Sequence, residues 1–181
     1  MKTLLLLLAS VAPLAAQAQH SPYAGDQRRA IKSLSEDQVR ELLEGRGMGQ
    51  ARAAELNGYP GPMHVLEHAD AMSLSADQRQ ATQSLMARHR ERARQLGRAV
   101  VEAERRLDEA FARRTVDAAA LSALTAEVGR AQARLREEHL RTHLEQTALL
   151  DERQVRRYNE LRGYAGQGAG AGGHRPHGAH R

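Results

Sequence analysis

The chain has 181 residues, with 27 Lys and Arg against 22 Asp and Glu, a formal net charge of +5, and no cysteine. Disulfides, thiolate nucleophiles and thiolate metal sites are therefore excluded, and the sequence holds no nucleophile elbow, HExxH motif or phosphate loop, so an enzyme is not expected. The only aromatic residues are Phe111, Tyr23, Tyr59, Tyr158 and Tyr164, so a core must come almost wholly from Leu, Val, Met and Ala, which suits helices joined along thin seams.

Residues 1–18 place one early charge, Lys2, before the apolar run Leu4 to Leu8, Val11 and Leu14, and finish at Ala16-Gln17-Ala18. That pattern predicts a cleavable secretory signal; the run is too short, and broken by Pro13, for a membrane anchor. No later segment is apolar enough to span a bilayer. The expected location is the periplasm of a bacterial-type envelope, where nucleic acid is not a partner and anionic surfaces of lipids, polysaccharides and unfolded proteins are.

Residues 19–33 show no sustained period and contain Pro22 and Gly25, which predicts an extended leader. A short helix is expected from Glu36 to about Glu44, ended by Gly45-Arg46-Gly47-Met48-Gly49. A second covers Gln50 to Leu56 before Asn57-Gly58-Tyr59-Pro60-Gly61-Pro62 forces a turn, and the chain coils again from Met63 to Met72. From Ala76 to Arg114, apolar residues recur at helical steps (Leu85, Leu96, Val100, Ala103, Leu107, Phe111), predicting one amphipathic helix of roughly 58 Å. Asp117 caps a second long helix with the seam Leu121, Leu124, Val128, Ala131 and Leu135. The fold class is all-α: an elongated antiparallel hairpin with short flanking helices. The Gly-, Ala- and His-rich segment 165–181 reads as a disordered tail.

Pairing the two seams matches Phe111 with Leu121, Leu107 with Leu124, Ala103 with Val128, Val100 with Ala131 and Leu96 with Leu135. The same register sets Arg92 opposite His139 and His89 opposite Thr142 and His143, where the Leu stripe turns polar. Three imidazoles are expected to converge there.

Three segments repeat one pattern: Leu34-Ser35-Glu36-Asp37-Gln38, Leu74-Ser75-Ala76-Asp77-Gln78 and Leu150-Asp151-Glu152-Arg153-Gln154. Each is a capping box, in which Ser35, Ser75 or Asp151 accepts from the amide three residues on and Gln38, Gln78 or Gln154 reaches back, while the leading Leu staples the first turn. Three such boxes in an exported, cysteine-free helical chain resemble the LTxxQ family of periplasmic proteins, which includes the Spy and CpxP chaperone-like proteins, the ZraP zinc-binding protein and CnrX-type metal sensors. The likeness covers residues 34–164, with Ser or Asp in place of the usual Thr. It implies a helical hairpin, a homodimer forming a curved cradle, and no catalysis.

Two functional readings follow. In the first, the protein holds unfolded or misfolded envelope proteins without ATP: Arg90, Arg94 and Arg98 concentrate positive charge on the first long helix, and Val101, Leu140 and Leu144 leave apolar surface outside the hairpin seam. In the second, it binds a divalent transition metal such as Zn, Ni, Co or Cu, acting as a sensor or resistance protein beside a membrane-bound regulator. The i, i+4 pairs His64/His68 and His139/His143, joined by His89, would supply the ligands. The tail residues His174, His177 and His180 would bind metal weakly. The first reading requires no cofactor.

Overall fold

The computed structural model describes residues 22–164; the expected signal and the tail, with His174, His177 and His180, lie outside them. Among the described residues six α-helices and no strand occur: α1 Glu36–Glu44, α2 Arg52–Glu55, α3 Pro62–Glu67, α4 Ala76–Ala112, α5 Ala118–Ala148 and α6 Glu152–Leu161. The long helices α4 and α5 pack against each other as the expected hairpin. No helix is long and apolar enough to cross a membrane among these residues.

Each long helix starts where its cap stands. Ser75 accepts from Gln78 N at 3.1 Å and Gln78 Oε1 accepts from Ser75 N at 3.0 Å; Asp117 accepts from Ala120 N at 2.8 Å. Ser35 and Asp151 complete the other two boxes with Gln38 and Gln154. Two of the boxes also meet each other. The side-chain amides of Gln78 and Gln154 form a reciprocal pair at 2.8 and 2.9 Å, and Gln78 Nε2 also reaches the Leu149 carbonyl at 2.9 Å. The start of α4 is thereby tied to the start of α6. Replacing Ser75 by Ala should lower unfolding free energy by about 1 kcal/mol, read from a denaturant midpoint.

Two apolar clusters hold the molecule. Leu42, Ala93, Leu96, Val100 and Leu135 form one, with Leu34, Val101 and Ala131 against it; Val65, Ala69, Met72, Leu74 and Tyr158 form the other, with Leu150 and Leu161. The leading Leu of every capping box is thus in or beside a core. Toward the hairpin tip the seam opens, since Phe111 is 54% and Leu121 39% exposed.

Glycine decides how closely α1 approaches α4. A Cβ on Gly97 would fall 2.7 Å from the Leu42 carbonyl carbon and closer still to its oxygen, so only a residue without a side chain lets the two backbones touch. One turn away, Gly45 ends α1 at φ +70, and a Cβ there would stand 3.0 Å from Arg94 N and 3.1 Å from Ala93 Cβ. The leader differs from expectation. Residues 22–33 run as turns with one 3-10 helix, Asp26–Arg28, not as an extended segment. Ile31 is buried, Lys32 binds Asp108 through its backbone N at 3.1 Å and Nζ at 3.2 Å, and Ser33 Oγ donates to Glu104 at 2.8 Å. Satisfied polar contacts to α4 anchor a stretch that lacks periodicity.

Candidate functional site

The expected register holds along the hairpin. Arg106 pairs with Glu127 at 2.8 Å, and Gln132 donates to Glu104 at 3.2 Å. Toward the open end Gln146 donates to Thr82 at 3.2 Å, and the predicted meeting of His89 with Thr142 occurs at 2.9 Å. In this half the seam is polar: Thr82, His139, Thr142 and Gln146 are all buried.

The histidines there divide. Thr142 Oγ1 spends its single proton on the Glu138 carbonyl at 2.9 Å, so it accepts from His89 Nδ1–H, which also approaches Glu138 Oε1 at 3.1 Å. His139 meets His89 edge to face with ring centroids 4.7 Å apart, and its Nε2 is buried with no hydrogen-bond partner among the described residues. Burial, with the neighbouring His89 and His143, pushes its pKa down to about 4. His143 turns elsewhere. Its Nδ1–H donates to the Tyr59 carbonyl at 2.8 Å and its ring lies against Gly61, whose Cβ, if present, would come within 2.8 Å of His143 Cε1.

Convergence is therefore met by His89 and His139 and not by His143, because the α2–α3 turn offers that ring a carbonyl on the other side. His64 sits on α3 against Glu67 at 2.7 Å, and His68 ends that helix. Among the described residues no group of three or more His, Asp or Glu side chains is placed to hold a metal ion.

A hub that the sequence did not reveal lies beside this turn. Tyr158, fully buried on α6, donates to Glu55 at 2.8 Å and accepts from Gly61 N at 3.3 Å; burial raises its phenol pKa. Arg162 Nε at 3.0 Å and Tyr164 OH at 3.3 Å also donate to Glu55. One carboxylate thus latches α2 to the end of α6. Its partners are about a hundred residues away in sequence, and no spacing signals such a contact.

The proposed client-contact residues separate in the same way. Arg90, Arg94 and Arg98 are exposed, and no carboxylate pairs with them among the described residues. Leu144 is 56% exposed and Leu140 half-buried on α5. Val101 is corrected: it packs on the Leu42 cluster, because α1 lies over that side of α4 and covers what a bare hairpin would leave open. The surface that sequence reasoning missed is the α1–α3 run itself, where Leu43, Met48, Leu56, Tyr59 and Met63 are all 38% exposed or more. The backbone of Arg90 and Arg94 passes close to the end of α1, with Arg94 N 3.0 Å and Arg90 O 3.1 Å from where a Cβ on Gly45 would stand.

These features define an all-helical hairpin protein whose short helices and their connections carry the exposed apolar residues Leu43, Met48, Leu56, Tyr59 and Met63. Comparison with protein-family models, with curated proteins and with solved structures finds no match.

Proposed function

We propose that the protein is a periplasmic envelope-stress chaperone that holds unfolded clients without ATP, as a homodimeric cradle. The observation that supports this reading best is the exposed apolar series Leu43, Met48, Leu56, Tyr59 and Met63 beside the unpaired Arg90 and Arg94. Each burial of a Leu or Met side chain contributes roughly 1.5–3 kcal/mol, so scattered exposed side chains of this kind gain when a flexible apolar segment lies across them. The arginines draw acidic segments in from a distance and the apolar residues retain them. Flexible, sulfur-bearing Met48 and Met63 adapt to many partners.

The test is aggregation suppression. The chain from Gln19 onward should delay aggregation of a chemically unfolded, unrelated protein; the Arg90, Arg94 and Arg98 to Ser triple variant should delay it less, and added salt should weaken the wild type toward the variant. If the wild-type chain leaves aggregation unchanged, the reading is wrong.

A further inference from the structure

α1 and the α2–α3 turn occupy one face of the hairpin, as the contacts of Gly97 with Leu42 and of His143 with Tyr59 and Gly61 require. Among the described residues nothing packs over the opposite face, where Arg88, Arg92, Gln95, Ala99, Arg130 and Arg134 are exposed. At about 100° per residue, it carries Arg88, Arg92, Gln95 and Ala99 from α4 and Arg130, Ala131 and Arg134 from α5, and along it runs a shallow groove lined by Leu96, Ala99 and Ala131, by Arg130 and Arg134, and by the Arg106–Glu127 pair.

Most acids near this band are engaged, while Glu145, exposed on the same side of α5 as Arg134, has no partner among the described residues. Glu127 and Glu102 bind Arg106, Glu137 binds Arg141, Glu138 faces His89, and Glu91 accepts from Gln95 at 3.0 Å. Arg88, Arg92, Arg130 and Arg134 are exposed, and none has a carboxylate partner among the described residues. Arg88 and Arg92, and likewise Arg130 and Arg134, stand one helical turn apart, each pair able to present two guanidinium forks to one anionic group.

We propose that this face docks on an anionic, phosphate-bearing lipid surface. Three observations select that occupant. The face is arginine-based, and planar guanidinium groups match phosphate oxygens two at a time, where lysine would supply only a point charge. Its apolar floor is small, and the large exposed apolar side chains of the described residues stand on the leader, on the short helices and their connections, at the hairpin tip or on the outer side of α5; a protein interface would place an apolar core here. A second copy applied through the same face would oppose arginine to arginine. Docked this way, the protein would keep its α1–α3 surface turned away from the membrane and open.

Vesicle co-sedimentation at low salt tests the proposal, using the chain from Gln19 onward. It should bind phosphatidylglycerol-containing vesicles and not pure phosphatidylcholine ones. Changing Arg88, Arg92, Arg130 and Arg134 together to Gln should weaken that binding at least roughly tenfold with circular dichroism unchanged. The Arg90, Arg94 and Arg98 to Ser variant should still bind vesicles, and the fourfold Gln variant should still suppress aggregation, so the two proposals fail separately. Wild-type chain that ignores phosphatidylglycerol, or a fourfold variant that binds as well as wild type, would overturn the docking. So would displacement of the protein from vesicles by polyglutamate at equal charge, which would make the occupant an acidic protein, or a change of oligomeric state in the fourfold variant, which would make it a second copy.

Discussion

Gly97→Ala is expected to lower stability by about 2–3 kcal/mol, whereas Gly129→Ala raises it by about 0.5–1 kcal/mol, although both glycines sit inside long helices. Helix propensity by itself favours Ala at either place by roughly 1 kcal/mol. At Gly129 a Cβ meets nothing within 4 Å and the preference acts unopposed. At Gly97 it strikes the backbone of Leu42, which cannot rotate away as a side chain would, so α1 must lift and the burial of Leu42 is reduced. Urea unfolding of both variants reads the two signs directly. A Gly97→Ala protein as stable as the parent would mean that α1 does not lie on α4 in solution.

Acid should loosen the molecule through His139. Its pKa is about 4 in the folded chain and about 6.5 when unfolded. Between these values the unfolded chain holds the extra proton, so the neutral buried imidazole contributes stability that is complete above pH 6.5 and is lost as pH falls toward 4. From pH 7 to pH 5, before most carboxylates titrate, the loss should be on the order of 2 kcal/mol. His139→Leu removes the titrating group and should flatten that part of the profile, while the parent slopes. Parallel profiles for the two proteins, measured by urea unfolding across this range, would show that His139 is hydrated and not buried in the seam.

Much of the architecture was readable because it rests on local signals. Ser35, Ser75, Asp117 and Asp151 mark helix starts through bonds to amides three residues on, and these are made within a single turn wherever that turn ends up. The hairpin register was readable for a related reason: the apolar stripes of α4 and α5 offer one alignment that pairs Leu96 with Leu135 and Val100 with Ala131, and it correctly carried His89 to Thr142. Gly97, by contrast, read as a mere interruption of a helical stripe, and nothing in its neighbours announced the close crossing that it permits.

The sequence by itself determined the two long helices, their caps and their pairing, since periodicity and capping act over a few residues. The expected Gln50–Leu56 and Met63–Met72 helices are instead the shorter Arg52–Glu55 and Pro62–Glu67. Tertiary structure decided which surfaces remained to be used. It packed Val101 against the Leu42 cluster, turned His143 away from His89 toward the Tyr59 carbonyl, joined Gln78 to Gln154, gathered Tyr158, Arg162 and Tyr164 around Glu55, and left Arg88, Arg92, Arg130 and Arg134 exposed. The physical reason is that short helices such as α1, α2 and α3 have too little apolar surface to dictate their own docking. Their places are settled by steric fit at Gly97 and Gly61 and by hydrogen bonds to residues far along the chain, and neither leaves a periodic trace in the sequence.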